Sequence, residues 1–260
     1  SNINISLGIT DVNQDFDSSF FQLLDNGSQL NFDDAVFNNE VNFDFSDAYV
    51  ALNYRLRTGI FTFDPGLTFH FYKTGTTQLG SSTMNNLSDV RPNLRINMQF
   101  KKTESLRLTF RKNTQFTDVN NLAEGYVFNN YNSIFRGNRE LESAVVNSYN
   151  MNYRSINQFT FTNIFANASY SKRSNSIQSR ANLAGINAVR TSTNSIFPRE
   201  TYNVSGRVDK RFKNFKLNAG TSFNYSDFTN VINDQTVSSN SLNQNYSASI
   251  ETNFRDKPNF

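Results

Sequence analysis

The feature that most constrains this chain is a two-residue alternation of apolar and polar side chains, repeated from one end of the sequence to the other. From Phe61 the odd positions are Phe61, Phe63, Pro65, Leu67, Phe69 and Phe71, against Thr62, Asp64, Gly66, Thr68, His70 and Tyr72. Leu94, Ile96, Met98 and Phe100 oppose Arg95, Asn97, Gln99 and Lys101, and Leu106, Leu108 and Phe110 oppose Arg107, Thr109 and Arg111. The pattern returns at Tyr149, Met151 and Tyr153; at Ile164, Ala166, Ala168 and Tyr170; at Tyr202, Val204 and Val208; at Phe215, Leu217, Ala219, Phe223 and Tyr225; and at Tyr246, Ala248, Ile250 and Phe254. Phe165 is an exception, an aromatic ring on a polar face. Period two is strand geometry, one greasy face and one wet face. With 26 phenylalanines and 11 tyrosines, the composition also suits a pleated surface. Together with Ile3, Ile5, Leu7 and Ile9, these segments predict about ten strands.

The connections predict how the strands are arranged. Short turns are expected near Thr58-Gly59, Thr103, Ile156-Asn157, Asn214 and Asp256-Lys257, and long polar stretches from Lys73 to Val90, Thr114 to Ser143, Lys172 to Arg199 and Ser226 to Asn243. Short turns at one end and long loops at the other, with apolar-out and polar-in strands, are the signature of an antiparallel transmembrane β-barrel with short periplasmic turns and long extracellular loops. No window holds the 18 or so consecutive apolar residues that a spanning helix requires, so membrane insertion rests on strands. A barrel wall is apolar on only half of each strand, which accounts for a mean hydropathy of −0.56. Aromatics near strand ends (Tyr54, Phe61, Phe71, Phe100, Phe110, Phe212, Phe215, Phe223, Tyr225 and Phe254) fit interfacial girdles. The competing architecture is a secreted all-β adhesin with one face packed on a core.

Charge and chemistry narrow the function classes. Residues 1–54 hold nine acids and no Lys or Arg, so an acidic N-terminal strand and loop (1–40) precede repeated hairpins (41–260). The basic residues sit singly on strands or at turns rather than in an aromatic-interleaved patch, so nucleic acid is not an expected partner. No cysteine is present, which excludes disulfides and thiol catalysis. The N-terminus shows no basic stretch leading into an apolar one, so no signal peptide is expected. His70 is the only histidine and is expected as a solvated residue of the polar face rather than a catalyst. Asp11, Asn13, Asp15 and Asp17 space oxygens as in a calcium loop, but Phe16 stands where the loop requires glycine and Gln22 where it requires glutamate. No metal site, cofactor or catalytic set is therefore expected, and the chain is not expected to be an enzyme. Arg95, Arg107, Arg111, Arg154 and Arg207 form a basic ladder on the polar face, suited to an anionic ligand or to pairing with lumen acids. Tyr126, Phe128, Tyr131 and Phe135, in the longest loop, are the expected ligand contacts, since stacking on aromatics holds sugars and siderophores.

Three segments resemble motifs of one protein family. The segment from Asn42 to Tyr54, followed by Phe61 to Phe69, is similar to the family's YxxLxY…FxxxxGLRYE hairpin, with Thr68-Phe69-His70 in place of Arg-Tyr-Glu. Arg91-Pro92-Asn93-Leu94-Arg95-Ile96 with Ser105 to Lys112 resembles its PSLxLxY…SLRLSYSR strand pair, with Phe116-Thr117 in place of the Arg-Pro that follows. Phe135-Arg136-Gly137-Asn138-Arg139-Glu140-Leu141-Glu142-Ser143 resembles its xxGNPxLKPE element without either proline or the lysine. That family is the Bacteroidetes-type TonB-dependent receptors, whose C-terminal barrel these segments resemble, and the resemblance implies a plugged barrel of 22 strands in the outer membrane of a Gram-negative cell. Such a receptor takes up a scarce siderophore, glycan or peptide with energy delivered through TonB. This chain has room for about half of that wall and shows no plug domain or TonB box, so it is expected to be part of a larger polypeptide. A freestanding barrel pore or enzyme is the alternative.

Overall fold

The computed structural model describes residues 1–32, 34–130, 132–184 and 187–252. In chain order the strands are β1 (Asn2–Ser19), β2 (Phe21–Leu23), β3 (Gln29–Asn31), β4 (Asn38–Thr58), β5 (Phe61–Gln78), β6 (Ser81–Lys101), β7 (Glu104–Gln115), β8 (Tyr126–Asn130), β9 (Ser133–Arg136), β10 (Ala144–Asn157), β11 (Thr162–Ser174), β12 (Ile177–Ala184), β13 (Asn187–Asn194), β14 (Arg199–Arg211), β15 (Phe215–Ile232) and β16 (Gln235–Thr252). The long strands form one antiparallel meander in the order β1-β4-β5-β6-β7-β10-β11-β14-β15-β16. Each therefore pairs with its neighbour in sequence, apart from short hairpins carried in the loops. The wall is the all-β, antiparallel transmembrane barrel architecture expected from the alternation.

Register explains where the membrane lies. Ile9 pairs with Ala48 and Ala48 with Phe71; one step higher on the same face, Asp11 pairs with Ser46 and Ser46 with Lys73. Below this line the outward face carries Ile3, Ile5 and Leu7 opposite Tyr54, Leu52 and Val50; above it come Asn13, Asp15, Asp17, Asp44 and Glu40. One boundary thus runs straight across three strands, with hydrocarbon-compatible side chains on one side and charges on the other. The outward aromatics Phe110, Tyr149, Tyr170, Tyr202 and Tyr225 are direct cross-strand partners, and their ring centroids lie 4.9, 5.9, 4.7 and 6.1 Å apart in succession. This row is the girdle that amphipathic rings form at a lipid–water interface. At the short-turn end Phe159 and Phe161 are exposed, and Phe212 stacks on Phe215 at 4.4 Å.

Several expectations require correction. The polar stretches Lys73 to Val90 and Ser226 to Asn243 are not loops: β5 turns directly into β6 at Leu79-Gly80, and β15 into β16 at Asn233-Asp234. Both residues of each turn have positive φ, the primed hairpin geometry that matches strand twist. Ile156-Asn157 is the end of β10, and the short turn falls at 158–161. The calcium-like spacing at Asp11, Asn13, Asp15 and Asp17 belongs to an extended strand, where alternate residues share one face, rather than to a loop that wraps an ion. Asn13 and Asp15 bond across the ladder to Asp44 and Asn42, each at 2.7 Å. The strands of 18 to 21 residues (β1, β4, β5, β6) greatly exceed the roughly ten that cross a bilayer, so the wall continues well above the lipid. Phe254 and the turn at Asp256-Lys257 lie outside the described residues.

Candidate functional site

Above the lipid boundary the alternation changes phase. On the lower part of β4 the even residues Leu56, Tyr54, Leu52, Val50 and Ala48 are apolar and face lipid, whereas on the upper part the odd residues Phe45, Phe43 and Val41 are apolar and face inward. Outside the membrane water bathes the outer face, so an apolar residue there is stabilised only by a protein partner on the inner face. That partner is the long loop after β7. Val119, Leu122 and Ala123 pack on Val41 and Phe43, joined by Phe16, Phe45 and Leu141, and Leu122 and Ala123 are 3 % and 0 % exposed. Phe116 meets Phe45 and Tyr72 edge-on at 4.9 and 4.7 Å. The loop expected to lie free at the extracellular end is therefore seated inside the wall.

Polar groups fix the loop in place. Gln78, at the top of β5 and 2 % exposed, donates to the Leu122 carbonyl at 2.9 Å and accepts from the Glu124 amide at 3.1 Å. Asn39 accepts from the Gly125 amide at 2.8 Å and donates to Ser18 and to the Tyr126 carbonyl. The amides of Gly137 and Asn138 donate to the carbonyls of Ala123 and Asn121 at 2.6 and 2.7 Å, closing the loop's base. Arg139 grips Glu124 at 2.6 Å. The second long loop is a β12–β13 hairpin; β13 pairs parallel with β9, β12 with β15, and Asn194 bonds Glu142 in both directions. Replacing Gln78 with alanine is expected to strand the buried Leu122 carbonyl and Glu124 amide at a local cost of about 1–3 kcal/mol. Hydrogen exchange at Glu124 and Gly125 should speed up accordingly, while exchange in β5 below Phe71 stays unchanged.

The expected ligand-contact aromatics are divided between two faces. Tyr126 and Phe128 lie on one face of β8, whereas Phe135, opposite Val127, lies on the other. Tyr126 joins Phe37 at 6.3 Å, and Phe128, half exposed, meets Phe20 at 5.7 Å. Phe135 lines a recess of about 320 Å³ together with Phe116, Asn121, Gln115, Arg173 and Ser192, roofed by both long loops. Tyr131 lies outside the described residues. Nothing in the residues around Phe116, Gln78 or Asn39 marks them as anchors; the phase slip at Asp47-Ala48 is the available signal.

The inner wall below is paved with asparagine and arginine. Asn167 donates to Asn152 at 2.7 Å, and Asn224 donates to Asn203 across the next pair. All five arginines of the predicted ladder face the lumen. Arg95 and Arg111 border a recess of about 280 Å³ with Asn53 and Asn93; Arg107, Arg154 and Arg207 border another of about 470 Å³. His70 also faces inward, its Nδ1 3.0 Å from both Asp47 oxygens and its ring stacked on Tyr72 at 5.2 Å. Among the described residues no serine or threonine hydroxyl bonds to it, so the histidine is held as a wall residue beside a carboxylate. Among the described residues, no group of three or more metal-binding side chains occurs.

No protein-family profile matches this sequence, and no curated protein matches it. Solved structures do. The FrpB iron transporter from Neisseria meningitidis (F3-3 variant) is 13% identical at a TM-score of 0.57, over 84% of this chain and 31% of FrpB. The copper transporter OprC is 11% identical at 0.58, over 87% of this chain and 36% of its own. The Serratia marcescens hemophore receptor HasR, in complex with its hemophore HasA and heme, is 11% identical at 0.60, over 97% of this chain and 50% of HasR. The chain thus spans about a third to a half of the length of these proteins. It carries, as one contiguous stretch of wall, the antiparallel transmembrane β-barrel fold of these transporter and receptor barrels.

Proposed function

We propose that this chain forms part of the barrel wall and the extracellular vestibule of a TonB-dependent outer-membrane receptor that takes up a scarce ligand. The single observation that carries this reading is the change of phase at the lipid boundary. Below it the wall is dressed for hydrocarbon, and above it the same strands turn their apolar side inward to seat a long loop over the lumen. A loop anchored in this way gives a receptor the fixed surface on which to hold a dilute ligand. In this reading the recess beside Phe135 and Phe116 takes the ligand, the exposed ring of Phe128 adds a contact at the rim, and Tyr126 braces the loop; Tyr131 belongs to the same loop. Arg95, Arg107, Arg111, Arg154 and Arg207 line the route inward. The similar structures are transporters and receptors, which supports transport over catalysis. The Gly137-Asn138 element and the two hairpin motifs favour the Bacteroidetes-type branch. A plug domain and the TonB system are the partners this reading requires, in the outer membrane of a Gram-negative cell. The ligand class is a metal chelate, a glycan or a peptide.

The test combines size with energetics. An antibody to residues 114–143 should detect, in source-cell outer membranes, a polypeptide roughly three times the mass of this chain, room for 22 strands and a plug. Deleting its gene should abolish protonophore-sensitive accumulation of one supplied nutrient among iron chelates, copper, heme, glycans and peptides. A species near the 29.7 kDa of this chain, with no accumulation lost, would replace the receptor with a freestanding barrel.

A further inference from the structure

At the short-turn end of the lumen, well below the loop seat, four neighbouring strands bring three arginines around one aromatic ring. Arg107 comes from β7, Arg154 from β10, Phe165 from β11 and Arg207 from β14. Phe165 is directly opposite Arg154 on one side and Arg207 on the other, and Arg107 is opposite Asn152, two residues from Arg154 on the same strand. Direct partners have Cβ atoms about 5 Å apart, so the guanidinium groups share one patch of wall. All three arginines and Phe165 are open to the lumen, and the recess they border holds about 470 Å³. That is within the range of small-molecule sites.

Charge is what singles this patch out. The inner-wall acids are already engaged: Asp47 by His70, Asp64 by Arg55, Asp89 by Arg91 and Lys112, Asp209 by Arg207. Arg107 has only the neutral Asn97 oxygen, at 2.8 Å, and among the described residues Arg154 has no hydrogen-bond or ion-pair partner. A planar guanidinium offers donors in a fork that matches carboxylate and phosphate oxygens. Phe165 is the one ring that breaks the polar face here, and it gives the recess an apolar floor. We propose that Arg107 and Arg154, over Phe165 and flanked by the Arg207–Asp209 pair, form a binding site for a small oxyanion, a carboxylate or phosphate group, at the inner mouth of the barrel. This deepens the uptake reading and rests on it, since it assigns anionic chemistry to what leaves the lumen.

The experiment is calorimetry on the whole polypeptide, purified from outer membranes in detergent, titrated separately with citrate, inorganic phosphate and a hexa-aspartate peptide. Citrate or phosphate should bind saturably, and whichever binds identifies the oxyanion. Arg154→Gln and Arg107→Gln should each weaken binding about tenfold, the loss of one charge-assisted hydrogen bond. Arg57→Gln, a change on β4 three strands away, should alter it by less than about twofold. Each variant is checked for heat-modifiable migration in detergent gels, and Arg154→Lys, which keeps the charge and loses the fork, should fall between wild type and glutamine. No saturable binding of either anion, equal losses in the Arg57 and Arg154 variants, or binding of hexa-aspartate alone would each overturn the site, the last in favour of an acidic polypeptide segment. Binding in detergent does not depend on cellular uptake, so a failed gene-deletion result and a failed titration separate the two readings.

Discussion

Met151→Arg is expected to lower the stability of the membrane-inserted wall by about 2–4 kcal/mol, whereas Asn152→Arg, one residue further on, should cost only about 1 kcal/mol, from the like charge set opposite Arg107 and the lost bond from Asn167. The contrast follows from register. Met151 pairs with Leu108 and Ala168, which pair in turn with Ile96 and Val204, so it occupies the middle of an outward apolar row. Asn152 pairs with Arg107 and Asn167 on the wet face. A guanidinium in the first position is placed in hydrocarbon, and in the second it joins arginines that already face water. Urea titration of folding into lipid vesicles measures both; equal effects would mean that the two faces are assigned the wrong way round.

The second large effect is expected at Gly137. A Cβ built there lies 2.5 Å from the Asn121 carbonyl oxygen, and 2.6 and 2.7 Å from the Ala123 oxygen and nitrogen. These are backbone atoms that cannot swing away, and the two oxygens are the acceptors of the two hydrogen bonds that close the base of the loop. Gly137→Val should therefore unseat residues 116–143 at a cost of about 2–5 kcal/mol, from overpacking and lost backbone bonds together. Trypsin cleavage after Arg136 or Arg139 should quicken roughly 30-fold or more if cutting follows the opened population. The wall itself should survive, since no strand pairing below the lipid boundary depends on Gly137. Unchanged cleavage would mean that the loop is held by other contacts.

These two positions also mark how far the sequence can be read unaided. Met151 is legible, because in the lower wall lipid on one side and water on the other impress a hydrophobic period of two on every strand, and that period alone predicts the face of each residue, about ten strands and the short turns. Above the lipid boundary the outer face of the β5–β6 and β15–β16 hairpins is wet, and the inner face of β5 meets the seated loop through polar Thr76 and Gln78 rather than apolar side chains, so Thr74 to Ser82 and Ser226 to Asn243 carry no such period and resemble loops although they are paired throughout. Gly137 looks like a turn residue; its requirement comes from carbonyls at Asn121 and Ala123, brought against it by the closing of the loop. The arginine recess shows both levels at once. The alternation places Arg107, Arg154 and Arg207 on the polar face, but only the pairing of β7, β10, β11 and β14 sets them beside one another around Phe165. Which face a side chain takes is a local consequence of strand geometry and solvent, so it can be read from the residues alone. Which side chains meet across β7–β10 and β11–β14 depends on register between strands joined by loops of more than twenty residues, and that register is set by tertiary pairing.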